Sequence, residues 1–230
     1  MEIKELHGWD ALPAEARVIQ AELAKRVRLE NDFGPIRTIA GADICFDEDE
    51  AIAGVVVFSY PELEVLEKIS SRLEVKYPYI PGLLSFREAP ALIEAFRKAR
   101  NEPDLVIFDG QGIAHPRGLG IASHMGLILD KPSIGCAKSL LVGDYEEPGE
   151  KAGGVSDLTY RGCQVGAVVR TRDNVKPIFV SPGHRISIKE SVRIILQCSS
   201  RYRIPTPTRI ADSYVAQLKR TSSHSHAAAL

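Results

Sequence analysis

The stretch "IRTIAGADICFDEDEAIAGVVVFSY", residues 36–60, contains two apolar segments separated by a short run of acids. The apolar segments are rich in isoleucine, valine and phenylalanine, which favour β-strands, and the acidic run is typical of a solvated turn. The segment "LEVLEKISSRLEV", residues 63–75, has the composition of a third strand. These three segments predict an antiparallel meander.

Helix-like and strand-like segments alternate after the meander. Residues 89–100 predict a helix, and "DLVIFDG", residues 104–110, indicates a short buried parallel strand. Residues 119–130 predict a second helix, and "PSIGCA", residues 132–137, predicts another buried strand. This alternation of strands and helices predicts parallel strands that are joined by right-handed helical crossovers. The chain is therefore predicted to be an α/β protein. Its mixed sheet combines the antiparallel meander with parallel strands and is flanked by helices.

The flanking segments complete this prediction. A first helix is expected from Pro13 to about Leu29 because apolar residues recur at helical spacing. Residues 143–162 are predicted to be a loop, and residues 163–181 a hairpin. We expect one domain over residues 1–220.

Two helices are predicted near the carboxyl terminus. Ser187 and Glu190 form a capping box at the start of the first, and Thr206 caps the second. The tail, residues 221–230, is predicted to be disordered, although its histidines could bind a metal ion loosely.

The composition excludes several classes of protein. The chain has 230 residues, a formal net charge of −1 and four widely spaced cysteines, so neither a zinc site nor a disulfide framework is expected. No apolar run approaches the roughly 20 residues of a membrane helix, and the first residues are charged. We expect a cytoplasmic monomer with reduced thiols and no membrane association. A polyanionic partner would require a local basic patch or bound metal ions.

Three acids occupy unusual positions. Asp43 interrupts the first strand, Asp109 ends a buried strand, and Glu88 opens the helix after a proline-rich loop. A carboxylate inside an apolar strand costs free energy unless it is paired or binds metal. Asp109 also fits a strand-end turn, and Glu88 a charge favoured at a helix N-terminus. Oxygen ligands without histidine or cysteine spacing favour Mg²⁺ or Mn²⁺, and this architecture is that of ribonuclease H-like nucleases.

Other residues near these acids have two interpretations each. His115 could contact a phosphate or move a proton, or it could bond to the loop backbone. Lys138 follows a parallel strand, where ligands bind in α/β sheets, but it could also be a surface lysine. His124, inside a predicted helix, is expected to be a packed core residue. A dinucleotide fingerprint at Gly110 and Gly112 fails because the third glycine position is His115.

Several motifs together identify a resemblance to a known family. These are "YPYIPGLLSFREAP", "DGQGIAHPRGLGIASHMG", "IGCAKS", "FVSPGH" and "PTRIAD", which stand in this order along the chain. The chain resembles endonuclease V, also called deoxyribonuclease V, from Trp9 to about Lys219.

The resemblance implies a Mg²⁺-dependent DNA-repair endonuclease that recognises hypoxanthine, the base of deoxyinosine. Such enzymes nick the second phosphodiester bond on its 3′ side and leave 3′-hydroxyl and 5′-phosphate ends. The resemblance makes Asp43, Glu88 and Asp109 metal-binding catalytic carboxylates. It makes His115 and Lys138 auxiliary groups near the scissile phosphate.

The resemblance also implies how the base is read. Tyr79, held between prolines that include Pro81, becomes a wedge that fills the gap left by a flipped base. Glycine-bordered loops, Gly82 to Leu84 and Gly110 to Gly112, are expected to bring backbone groups to that base, so no dedicated side chain is expected.

Two departures from the family pattern and two alternative functions stay open, and the nucleotide-binding oxidoreductase rejected above is the third alternative. Ala89 stands where the family usually has glycine, and Asp212 stands where members carry aspartate or histidine, so Asp212 could be a surface residue. The substrate could be inosine-containing RNA. A non-catalytic lesion-binding protein would lack Mg²⁺-dependent nicking, and a nucleotide-binding oxidoreductase would show cofactor absorbance. Activity on uracil, xanthine, abasic sites or mismatches does not follow from the sequence.

Overall fold

A computed structural model describes residues 1–227, with side chains up to Thr221. The described residues form a nine-stranded mixed sheet in the order β3-β2-β1-β4-β5-β9-β8-β7-β6. Its strands are β1 Thr38–Asp47, β2 Glu50–Ser59, β3 Val65–Glu74, β4 Leu105–Asp109, β5 Ser133–Ala137, β6 Asp144–Tyr145, β7 Val155–Tyr160, β8 Cys163–Val169 and β9 Ile178–His184. The helices are α1 Pro13–Ala24, α2 Leu84–Arg97, α3 Ile121–Leu129, α4 Ile188–Gln197 and α5 Thr206–Ala227.

The predicted meander and parallel strands are confirmed. Strand β1 pairs antiparallel with β2, which pairs antiparallel with β3. On its other side β1 pairs in parallel with β4, and β4 pairs in parallel with β5. The predicted hairpin is also confirmed, because β8 and β9 pair antiparallel.

Helices cover both faces of the sheet because successive strand residues point to opposite sides. On one face Val106 and Phe108 pack among residues of α2 and α3, and on the other Leu105 and Ile107 pack among residues of α4. Helix α5 packs on β1 and β2, with Ala211 against Val56 and Phe58. Asp43 within β1 and Asp109 at the end of β4 therefore lie on neighbouring strands of this covered sheet.

Helix α5 approaches β1 unusually closely. A β carbon at residue 41 would lie 2.1 Å from the carbonyl oxygen of Pro207, so only glycine permits this contact. Gly41 thus fixes the first turn of α5 against the strand that carries Asp43.

Four local predictions were wrong. Helix α1 ends at Ala24 rather than Leu29, because the Arg28 backbone bonds to His184 and Arg185 at the end of β9. Residues 143–162 are not only loop, since β6 and β7 extend the sheet by pairing with each other and with β8.

The other two errors concern helix starts. Helix α2 begins at Leu84, so Glu88 lies in its second turn instead of opening it. At α4 the Ser187 hydroxyl accepts from the Glu190 amide as predicted, but the Ser187 amide donates to Asn31. The Glu190 carboxylate pairs with Arg193 instead of reaching back to that amide.

Most of the predicted disordered tail lies outside the residues whose side chains are described, and that prediction stays open. The cysteines are free thiols. Among the described residues, no helix combines the length and apolarity needed to cross a lipid bilayer.

Candidate active site

The strand register brings Asp43 and Asp109 side by side. Ala42 on β1 pairs with Phe108 on β4 in parallel, and each is followed directly by one of the two aspartates. Helix α5, fixed at Gly41, brings Asp212 to the same place. One carboxylate oxygen from each of Asp43, Asp109 and Asp212 lies within 4.8 Å of the others.

These three aspartates, the acidic cluster, crowd negative charge into a half-buried site. Burial and then the charge of Asp109 raise the pKa of Asp43 to about 8, although the Ile44 amide donates to its carboxylate. The Lys138 ammonium offsets part of the charge, since it lies 2.6 Å from Asp109 Oδ2. The cluster therefore retains an excess of negative charge that a divalent cation would neutralise.

Glu88 lies apart from this cluster, but the charge of Asp109 still affects its pKa. Burial and then the charge of Asp109 raise the pKa of Glu88 to about 7. Glu88 and Asp109 both line a cavity of about 390 Å³, which adjoins the acidic cluster on this side. Leu84 and Ser85 in the first turn of α2 line the same cavity, and Glu88 in the second turn continues that wall.

The cavity gathers most of the residues predicted to bind substrate, and we call it the base pocket after the role that the resemblance implies. Tyr79, Pro81, Gly82, Leu84 and Gly110 all line it. Among the large hydrophobic residues whose side chains are described, Tyr79 is the most exposed, at 69%. Because Tyr79 is exposed and lines the cavity, its ring is accessible to a molecule that enters the cavity.

Gly112 is the exception among the predicted contacts. It is buried outside the pocket lining, and its amide donates to the Ser181 hydroxyl at 2.7 Å. Its carbonyl accepts from the Gly120 amide. In the structure Gly112 joins β9 to the start of α3.

His115 lines the base pocket and is neutral at physiological pH. Burial, with the charge of Arg117, lowers the pKa of His115 to about 4. The Arg117 amide donates to its Nδ1, so Nε2 carries the proton and donates to the Gly82 carbonyl. The backbone bond of the second interpretation is therefore present, and the contact with a phosphate stays a prediction.

The Gly82 carbonyl also accepts from two residues that the sequence analysis missed. Gln20 Nε2 lies 3.0 Å and Arg117 Nη2 lies 2.5 Å from this oxygen. With His115 Nε2 at 3.1 Å, three donors use the acceptor capacity of the carbonyl and hold the loop before α2 in place. In the sequence, only Gly82 and the prolines before it indicated this loop.

Gln111 is another pocket residue that the sequence analysis missed. Its Nε2 donates to the Ser139 carbonyl at 3.1 Å, while its buried Oε1 has no partner among the described residues. It stands between the two glycines of "DGQG", which is the only sequence signal of its position.

His124 is a packed core residue, as predicted, and it also contacts the pocket wall. It is fully buried and accepts at Nδ1 from the hydroxyl of Ser85, which lines the pocket. Its Nε2 lies 2.7 Å from His7 Nε2, and His7 Nδ1 donates to the Gly8 carbonyl. This chain of bonds joins the amino-terminal segment to the start of α2.

Comparison with known proteins gives a consistent family. The sequence pattern of the family Endonuclease V matches residues 21–213. Endonuclease V of Roseiflexus sp. (strain RS-1) is 49% identical over 205 residues, covering 89% of this chain and 92% of that protein. Endonuclease V of Dictyoglomus turgidum is 50% identical over 211 residues, covering 92% of each.

Solved structures agree with the sequence matches. Endonuclease V of Bacillus subtilis gives a TM-score of 0.93 at 33% identity, covering 98% of this chain and 100% of that one. Endonuclease V of Ciona intestinalis, in complex with DNA containing an inosine followed by a ribo-adenosine, gives 0.82 at 28% identity, with coverages of 90% and 97%. These matches, on a ribonuclease H-like fold with an acidic cluster, show that the chain belongs to the endonuclease V family of DNA-repair nucleases.

Proposed function

We propose that this protein is a Mg²⁺-dependent endonuclease that recognises deoxyinosine in DNA. It hydrolyses the second phosphodiester bond on the 3′ side of the lesion and leaves 3′-hydroxyl and 5′-phosphate ends. The observation that carries the proposal is the acidic cluster of Asp43, Asp109 and Asp212 directly beside the base pocket. The DNA bound by the Ciona relative contains inosine, which supports the choice of base.

The residues present fit a hard divalent cation. Their donors are carboxylate oxygens, and three aspartates stand beside the single ammonium of Lys138. Asp43, Asp109 and Asp212 would hold Mg²⁺, or Mn²⁺ in its place, and Glu88 is a further candidate ligand from the pocket side. When bound, such ions activate water and stabilise the leaving oxygen of a phosphodiester.

The chain itself positions the substrate. Lys138 is a cation at the border of the pocket and the cluster, which suits it to contact a phosphate oxygen of the bound strand. His115 keeps the Gly82 loop in place rather than moving a proton, because it is neutral and bonded at both nitrogens. Tyr79 is exposed at the pocket mouth, where it can fill the gap left by the flipped base.

The start of α2 supports recognition of a purine that carries an oxygen at position 6. No side chain caps this helix, and its first residues, Leu84 and Ser85, form part of the pocket wall. The first amides of a helix lack internal partners and attract acceptors. Hypoxanthine presents an acceptor, O6, where adenine presents an amino group, so this wall favours the deaminated base.

The decisive experiment is a nicking assay on end-labelled oligonucleotides that carry a single hypoxanthine, with the cut position mapped. We expect cleavage only with Mg²⁺ or Mn²⁺, at the second bond on the 3′ side, and none on the matched adenine duplex. Equal cleavage of the adenine duplex would refute recognition of hypoxanthine.

A second candidate function is cleavage at inosine in RNA. The DNA of the Ciona complexes carries a ribo-adenosine after the inosine, which favours testing this alternative. Matched deoxyinosine and inosine substrates that differ only in the sugar would rank the two functions. That the protein is a cytoplasmic monomer stays a prediction, which chromatography with light scattering and cell fractionation would test.

A further inference from the structure

Two adjacent leucines are exposed at the rim of the base pocket. Leu140 and Leu141 lie between β5 and β6, are 43% and 48% exposed, and line the pocket together with Tyr79. A single exposed leucine is ordinary, but neighbouring ones beside an exposed tyrosine form an apolar rim. We call Leu140 and Leu141 the leucine ledge.

The segment that carries the ledge is fixed at both ends. Gln111 donates to the Ser139 carbonyl at 3.1 Å, and Arg203 donates to the Lys138 carbonyl at 2.7 Å. At the far end, a β carbon on Gly143 would lie 2.4 Å from the Thr159 carbonyl oxygen, so the backbone packs tightly there. The leucines therefore project from a held backbone, which lowers the entropy lost when they meet another surface.

We propose that the leucine ledge is a second DNA-stacking surface, which packs against a base next to the flipped one while Tyr79 packs in the gap itself. The inference rests on the proposed function. A flipped base leaves apolar faces of its neighbours uncovered, and leucine is one of the side chains that proteins insert at unstacked steps. In residues 138–143, which carry the ledge, the only charged side chain is the cation Lys138, which is compatible with a phosphate backbone.

The test compares the double variant L140A/L141A with L66A. Leu66 is a matched control because it is 47% exposed on β3, the edge strand at one end of the sheet. Binding is measured in Ca²⁺, which is expected to support binding without cleavage, on paired and on single-stranded oligonucleotides with one hypoxanthine.

The double variant should bind the paired inosine duplex about tenfold more weakly, corresponding to about 1.4 kcal/mol. Single-stranded substrate, in which no base pair has to be opened, should lose less than about threefold, and L66A should bind both as the wild type does. Circular dichroism spectra and thermal melting check that the double variant is folded.

Two results would overturn the ledge. An equal loss on both substrates would mean that the leucines contact the flipped base itself, and no loss would leave the rim without a role in DNA binding. The proposed function fails separately, if the wild-type protein binds inosine and adenine duplexes equally.

Discussion

The Lys138 ammonium lies 2.6 Å from Asp109 Oδ2 and 3.4 Å from Asp212 Oδ1, so one cation bridges two members of the acidic cluster. Burial lowers the pKa of Lys138, but the bond and charge of Asp109 outweigh it and raise that pKa above its ordinary value. Lys138 thus occupies carboxylate oxygens that a metal ion would also use.

Replacing Lys138 with methionine should therefore separate metal binding from catalysis. We expect Mg²⁺ to bind about two- to fivefold more tightly, because a partly exposed competing ion pair is lost. Cleavage should nevertheless slow, because the phosphate contact is lost as well. The Mg²⁺ dependence of the melting temperature measures the first effect, with Lys151→Met, which removes an exposed lysine paired with Asp173, as control. Weaker Mg²⁺ binding by the Lys138 variant would contradict the competition.

Asp43→Ala and Asp109→Ala should each nearly abolish cleavage while leaving the fold intact. Both acids end up in one cluster on central strands, and losing a shared ligand removes several kcal/mol of transition-state stabilisation. The rate of nicking at saturating Mg²⁺ is the measurement, and Asp47→Ala, at the far end of β1, is the control. A variant that retains more than about a tenth of the wild-type rate would remove that residue from the site.

His115→Ala should reduce activity less than loss of either aspartate. It removes one of three donors to the Gly82 carbonyl, and a hydrogen bond contributes about 1 kcal/mol, or roughly fivefold. His115→Gln, which can still donate to that carbonyl, should recover most of the loss. Because the pKa of His115 is about 4, the rate profile between pH 5 and 7 should keep its shape in both variants. If the His115→Ala profile lacked a titrating group that the wild-type profile shows, His115 would be an acid–base catalyst instead.

Tyr79→Ala should weaken binding more than it slows cleavage of bound DNA. Stacking of a base on an aromatic ring contributes about 1–3 kcal/mol, so Kd for the inosine duplex should rise roughly 5- to 150-fold. Single-stranded substrate should suffer less because less stacking has to be disrupted. Titrations in Ca²⁺ measure both constants. If affinity fell equally for the two substrates, Tyr79 would contact DNA elsewhere than in the gap left by the flipped base.

Asp43→Asn should change how stability depends on pH in chelator. The Asp43 carboxyl has a pKa of about 8 when folded, above its ordinary value. The contribution of Asp43 to the free energy of unfolding is thus fully present below about pH 4 and is lost as the pH rises through about 8. Between pH 6 and 9 the wild type should lose on the order of a few kcal/mol more unfolding free energy than the asparagine variant. Parallel urea-unfolding curves would contradict this, and Mg²⁺ should restore stability at pH 9 only in the wild type.

The parts of the fold that could be predicted are those with strong local patterns. The meander and the parallel strands have long apolar runs, and Asp43 and Asp109 stand out because carboxylates are costly there. The parallel register that aligns them follows from the same strands. Strand β7 carries no such pattern, because Leu158 is its only fully buried residue.

Residues placed by distant contacts could not be predicted. Asp212 joins the cluster only because α5 docks on β1 at Gly41, which no local pattern around Asp212 reveals. Gln20 and Gln111 become pocket residues through hydrogen bonds to distant carbonyls. The sequence alone also placed Glu88 at the start of a helix that in fact begins before it, since no capping side chain marks Leu83.

Because Asp212 reaches the acidic cluster only when α5 docks at Gly41, the site is completed late in the synthesis of the chain. A protein chain is made from its amino terminus, and Asp43, Glu88 and Asp109 are therefore synthesised long before Asp212. Until the last helix has been released and has seated against the first strand, a growing chain holds an incomplete set of carboxylates. The nuclease therefore completes its acidic cluster only when nearly all of its described fold is present.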